Sequence, residues 1–170
     1  MALKVLVVMG SDSDFEQIVP AVAVLKELAI PFEVMVASAH RSPDRVITLA
    51  RGAIAAGVGV IIAAAGGAAH LAGVVAANTT LPVVAVPLSS GALGGIDALL
   101  SSVQMPGGIP IASVGINSAR NAGLFAAAIL AITDSAMASR LLAWREAQTT
   151  KVEEADARVR AKLSERKLGS

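Results

Sequence analysis

The chain has 170 residues, of which 55% are apolar and 16% charged, with a formal net charge of +1. That length suits one domain with its own core and no covalent staples. The charge balance provides no basic field for nucleic acid, and aromatic residues at 2% leave few stacking platforms. With no cysteine, disulfides, thiolate catalysis and thiolate metal sites are excluded.

Lys4–Met9 is a short apolar run closed by Gly10 and predicts a buried strand. Asp12 or Ser13 is placed to cap a helix over Phe15–Leu28, which Pro20 would bend or shorten. Phe32–Ala37 predicts a second strand. Ser42 and Pro43, as N-cap and first helical residue, open a helix running to Ala56 and ended by Gly57. Val58–Ala64 is the most apolar strand, followed by a helix over Leu71–Asn78. Pro82–Pro87 is a fourth strand, followed by a long loop and a short helix near Ile96–Val103. Pro110–Ile116 predicts the fifth strand and Arg120–Ile132 its helix. Ser135–Ala147 and Val152–Lys167 predict one or two more.

Apolar stretches are broken by Gly, His or Pro before reaching the ~20 residues of a membrane span. The first residues run straight into a strand, without the pattern of a signal peptide. A soluble cytoplasmic protein with no membrane or nucleic-acid partner is expected. Strict alternation of strand and helix predicts a three-layer α/β sandwich, flavodoxin-like, with a five-stranded parallel sheet in the order 2-1-3-4-5 and an extra C-terminal helix. The expected organisation is one catalytic domain over 1–170, with core 4–132 and a helical extension 133–168. The apolar surplus is expected to be buried on both sheet faces and in an oligomer.

In such a sheet the ligand lies beyond the carboxyl ends of the strands, beside the switch point between strands one and three. Three loops must meet there. Gly10-Ser11-Asp12-Ser13-Asp14 offers a tight turn, two hydroxyls and a helix N-terminus, which is a phosphate cradle or simply a helix cap. Asp14 suits a ribose diol. Ser38-Ala39-His40-Arg41-Ser42-Pro43 supplies Arg41 for phosphate or carboxylate and His40 for proton transfer. Ala65-Gly66-Gly67-Ala68-Ala69-His70-Leu71 is small and apolar, either a dry pocket or tight packing. The only two histidines, His40 and His70, both fall in these loops. Two histidines without a third ligand make a poor metal site, so no metal is expected. The stretches Ser89–Asp97 and Gln104–Gly108 read as lids or subunit contacts.

These runs, continued by Val86-Pro87, Asp97–Ser101, Val103–Gly108 and Asn121–Leu124, closely resemble the bacterial N5-carboxyaminoimidazole ribonucleotide mutase family of purine biosynthesis, over roughly residues 4 to 150. The resemblance implies transfer of a carboxyl group from the exocyclic nitrogen of the ribonucleotide to ring carbon C4. It implies no metal, no organic cofactor and a homo-octamer. It places Ser11, Ser13, Asp14 and Arg41 on the ribose phosphate and makes His40 the general acid and base. Ala65, Gly66 and Ala68 would surround the carboxylate or transient carbon dioxide, and Ser38, Ala39, His70 and Leu71 complete the substrate-binding set. The chain departs from the family pattern at Ala64, Ala72 and Ala85, where Gly, Pro and Gly are usual, and Gly115–Arg120 is shorter than in many members. A sister branch carboxylates aminoimidazole ribonucleotide directly and usually has Lys after the first His; Arg41 and His70 favour the mutase branch. A flavin-binding flavodoxin and a non-catalytic phosphate-binding module are the readings from other classes.

Overall fold

The computed structural model describes residues 3–166. Five parallel strands form one sheet in the order β2-β1-β3-β4-β5, as expected: β1 (Lys4–Met9), β2 (Phe32–Val36), β3 (Val58–Gly66), β4 (Val83–Leu88) and β5 (Ala112–Ser113). The helices are α1 (Phe15–Glu27), α2 (Pro43–Gly52), α3 (Leu71–Ala76), α4 (Ile96–Val103), α5 (Ala119–Ala131) and α6 (Ser135–Glu165).

The period of two along each strand builds the layers. Val5, Val7 and Met9 of β1, Val60, Ile62 and Ala64 of β3, and Val84, Val86 and Leu88 of β4 point to one side, into a core with Ile18 and Leu25 of α1 and Ala122 and Ala126 of α5. The alternate residues Leu6, Val8, Ile61, Ala63, Val83 and Ala85 form the second core with Val46 of α2 and Leu71 and Val75 of α3. Over β1, β3 and β4 both faces of the sheet are therefore dry, which is why those strands read as continuous apolar runs, while the edge strand β2 stays partly exposed.

The three departures from the family pattern fall in these cores. Ala64, Ala72 and Ala85 are all buried.

Several boundaries differ from the sequence reading. Pro20 neither ends nor shortens α1, which runs to Glu27. The carbonyl it leaves unpaired is four residues back on exposed Glu16, where water can serve it. Ser11, not Asp12 or Ser13, is the capping residue. It heads a single 3₁₀ turn, Asp12–Asp14, that leads directly into α1. Helix α2 stops at Gly52 rather than Ala56, and irregular turns carry the chain to Gly57.

Strand β5 is far shorter than Pro110–Ile116, pairing only Ala112 and Ser113 with β4. Pro110 has no N–H for the ladder. Further on the chain turns through Asn117 in a left-handed conformation (φ 57°). The C-terminal region is one 31-residue helix, about 46 Å long. The end of the predicted segment, at Lys167, lies outside the described residues. Asp134 caps α6 by accepting from the Met137 N–H at 2.9 Å, and Arg140 Nε donates to the Leu28 carbonyl at 2.9 Å. Met137, Leu141 and Trp144 pack on the α1–α5 core, but Val152, Val159 and Leu163 are exposed. Among the described residues no helix is long and apolar enough to cross a membrane.

Candidate active site

The carboxyl ends of β1, β2 and β3 carry the loops that meet at the switch point. β1 lies between β2 and β3, and its register with each is continuous over Val5–Met9. Gly10 then donates its N–H to the Ala64 carbonyl of β3 at 3.1 Å, so the first turn is stitched to the third strand.

Within that turn Ser11 and Asp14 form a reciprocal box. Asp14 Oδ2 accepts from the Ser11 N–H at 3.0 Å, and Ser11 Oγ accepts from the Ser13 N–H at 3.4 Å. The Ser13 hydroxyl donates to Ser11 Oγ at 2.9 Å. Two hydroxyls and the start of α1 are thus gathered in one small cradle, a preorganised place for an anion. Burial raises the Asp14 carboxyl above its ordinary range, opposed by the Ser11 amide and by Arg41.

The second loop is closed by its own serines. Ser42 Oγ accepts from the Ser38 N–H at 3.0 Å and donates to the Ser38 carbonyl at 3.2 Å. Ser42 occupies the N-cap position of α2, as expected, but its hydroxyl locks the loop instead of bonding the helix amides. Arg41 is held between loops: Nη2 donates to the Gly10 carbonyl at 3.0 Å and Nε to Ser38 Oγ at 3.4 Å. The guanidinium therefore stands beside the anion cradle with donors to spare.

The third loop presents almost no side chain. Gly66 is required by its neighbour: a Cβ there would lie 2.4 Å from Ser90 Oγ. Gly67 turns the chain with φ of 60°. The loop brings His70 Nδ1 to 2.9 Å from His40 Nε2, with the rings edge-to-face at 78°.

Together these loops enclose a cleft of about 380 Å³, within the range of small-ligand sites. Every sequence-predicted site residue lines it: Ser11, Ser13 and Asp14 from the first loop, Ser38, Ala39, His40 and Arg41 from the second, and Ala65, Gly66, Ala68, His70 and Leu71 from the third. Ala64, Ala72 and Ala85 do not. Two further residues, Gly10 and Ser90, line it as well. Ser90 lies in the Ser89–Asp97 stretch that the sequence assigns to lids or subunit contacts, and it lines the cleft instead. The available signal is its place two residues after β4, whose last residue, Leu88, pairs with Gly66 of β3.

A larger hollow of about 720 Å³ lies at the opposite end of the sheet, between the ends of α2 and α3 and the Gly108–Pro110 turn. Its one ionisable lining residue, Arg51, bonds Asn78 Oδ1 at 3.2 Å, and it holds no proton-transfer group. Both histidines, Asp14 and Arg41 line the smaller cleft instead. Among the described residues no three His, Cys, Asp or Glu side chains are grouped to hold a metal ion.

Fold and cleft define a class: a flavodoxin-like α/β protein in which a serine-rich turn faces a histidine pair across a loop of small residues. The AIR carboxylase family profile matches residues 4–151. The N5-carboxyaminoimidazole ribonucleotide mutase of Brucella melitensis is 53% identical over 156 residues, covering 91% of this chain and 96% of that protein. The enzyme of the same name from Thermotoga maritima is 48% identical over 143 residues, 84% of each chain. The crystal structure of Treponema denticola PurE superposes with a TM-score of 0.83 at 29% identity, covering 91% of this chain and 96% of that one. The chain belongs to the AIR carboxylase family.

Proposed function

We propose that this chain is a single-domain N5-carboxyaminoimidazole ribonucleotide mutase, acting in the cytoplasm as a homo-octamer in purine biosynthesis. The observation that carries the reading is the meeting of His40 with the anion cradle and the small apolar loop in one cleft. Relatives bearing that activity in their names match nearly the whole chain.

The geometry suits the chemistry step by step. Ser11, Ser13 and Arg41 hold the 5′-phosphate by charge-assisted bonds, and Asp14 accepts from the ribose hydroxyls. Charged His40 gives a proton to the carbamate nitrogen. The C–N bond then breaks, and its electron pair stays on nitrogen. The products are the exocyclic amine and carbon dioxide. Carbon dioxide rests against Ala65, Gly66 and Ala68, where no side chain competes and backbone N–H groups can approach. Ring carbon C4, made electron-rich by the free amine, attacks it and forms the new C–C bond. Neutral His40 removes the C4 proton, which restores the aromatic ring and recharges the imidazole. One proton goes in and one comes out, so the isomerisation needs no co-substrate. Holding both fragments together replaces a bimolecular encounter, an advantage of up to about 7–11 kcal/mol.

The test is His40→Asn. A general acid–base contributes about 10²–10⁴-fold, so turnover falls by at least that factor while ligand affinity and melting temperature stay near wild type. A variant with ordinary turnover would remove His40 from the mechanism.

Assembly is supported by apolar surface that one subunit leaves uncovered. Ile96, Leu100 and Val103 form an exposed stripe on α4, and Val152, Val159 and Leu163 another on the projecting half of α6. Phe15 and Val36 form a third patch at the β2 edge. Several separate patches suit a closed assembly with more than one kind of interface. Light scattering on the purified chain should read eight copies of 17.1 kDa; a monomer or dimer would rule the octamer out.

A further inference from the structure

We infer that His70 is a positioning residue for His40, and that the two imidazoles work as one unit carrying a single exchangeable charge. The inference rests on the mutase reading and deepens it.

His40 Nε2 and His70 Nδ1 stand 2.9 Å apart. Two ring nitrogens approach that closely only when one bears a proton and the other a lone pair. Two facing N–H groups, or two facing lone pairs, would repel. The bond therefore limits what the pair can hold. It survives when both rings are neutral or when one is charged, and it breaks when both are charged. Among the described residues neither ring has another side-chain hydrogen bond; the other ionisable groups lining the cleft are Asp14 and Arg41.

Both rings stand on braced backbone. The His70 N–H donates to the Ala68 carbonyl at 2.8 Å, and its own carbonyl accepts from Val74 at 3.0 Å. His40 sits in the turn closed by the Ser38–Ser42 bonds. Each ring arrives from a different strand, so the contact is a tertiary choice and not a by-product of local sequence.

This arrangement answers a need of the proposed reaction. His40 must give a proton and then recover one, without rotating between the two events. When charged, His40 bears N–H on both nitrogens and donates Nε2–H to His70. After the Nδ1 proton has left, Nε2–H still donates to His70. The same bond is intact in both states, so the ring stays put and the vacated lone pair is at Nδ1. His70 remains neutral, with its proton on Nε2. Without this acceptor, neutral His40 would divide between two tautomers and its ring would be free to flip.

The experiment pairs His70→Leu, which removes the acceptor, with His70→Gln, whose amide oxygen replaces it. For His70→Leu, kcat should fall on the order of 10²-fold, the scale of a misplaced catalytic group. KM should stay near wild type, and the limb of the pH–kcat profile should move. His70→Gln should recover most of kcat. Because the chain has only two histidines, nitrogen-15 NMR of labelled imidazoles reads the tautomers directly: neutral His40 should be protonated on Nε2 in the wild type and a mixture in His70→Leu. Wild-type kcat in His70→Leu, or a raised KM with kcat unchanged, would overturn the inference and make His70 at most a substrate contact. If His40→Asn is inactive while His70→Leu is normal, the pairing alone fails. If His40→Asn is active, the acid–base role of His40 fails first; if the unmodified protein does not convert the carbamate, the mutase reading fails.

Discussion

On one side of the sheet β1 pairs continuously with β2 and β3 over Val5–Met9; on the other, β4 and β5 share only Val84–Ala112 and Ala85–Ser113. The long-paired side supplies all but one of the residues that line the cleft. Its loops are cross-stitched by Gly10 to Ala64, Arg41 to Gly10, and His40 to His70. The short-paired side is held differently. Asn117 accepts from the Ser89 N–H at 2.8 Å and donates to Ser89 Oγ at 3.1 Å, a side-chain clasp added to the backbone bonds from Val114 to Ala85 and from Asn117 to Pro87. Three glycines with positive φ, at Gly91, Gly94 and Gly95, follow Ser90 there, and the exposed stripe of α4 begins just after them. The contrast is between a half whose paired strands bring three loops to one cleft and a half that contributes one wall residue, Ser90, and an exposed apolar stripe.

Breaking the stiff side should cost most. Arg41→Ala removes a tie between two loops and, on the proposed mechanism, a charged donor to the phosphate. A hydrogen bond to a charged group is worth about 1.5–3 kcal/mol, so KM should rise roughly 10- to 150-fold, with a smaller change in kcat. Calorimetric titration with the ribonucleotide would show the same loss; unchanged affinity would detach Arg41 from the phosphate.

The clasp on the soft side is the next largest. Asn117→Ala loses both bonds and forces Ala into a left-handed backbone, a cost of about 1–2 kcal/mol from the backbone alone, read as a lower melting temperature. Asn117→Gly keeps the backbone and loses only the bonds, so it should fall in between. Equal melting temperatures for all three would mean the clasp does not hold this half.

Asp14→Asn is the smallest and most diagnostic for pH. Burial holds the native carboxyl above its ordinary value of 3.8. The folded state therefore binds that proton more tightly than the unfolded chain. This stabilisation is complete below 3.8 and is lost as pH rises through the native value. At neutral pH the Asn variant should melt at or above wild type, and the difference should shift in favour of wild type on acidification. A less stable variant at pH 7 would show that the Asp14–Ser11 bond outweighs burial.

Much of this was legible in the sequence because local chemistry and global fold agree. The apolar runs of β1, β3 and β4 and the turn at Gly10 predicted the strand order and the place of the cleft. His40 and His70 stood out as the only histidines. What local pattern could not supply was pairing across the fold. Nothing near His40 announces that its ring meets His70, or that Ser42 would lock its own loop instead of capping α2. The contraction of β5 depended on the left-handed turn at Asn117, a residue whose partner is 28 positions away. Ser90 was missed for the same reason: its role is set by the missing side chain of Gly66.

The central claim is that the cleft moves a carboxyl group within one bound ribonucleotide. The direct measurement gives the purified protein N5-carboxyaminoimidazole ribonucleotide in one assay, and aminoimidazole ribonucleotide with bicarbonate in the other. The account predicts rapid formation of 4-carboxy-5-aminoimidazole ribonucleotide from the carbamate and little from the second mixture at matched concentrations. Product from aminoimidazole ribonucleotide and bicarbonate alone, or from neither, would contradict it.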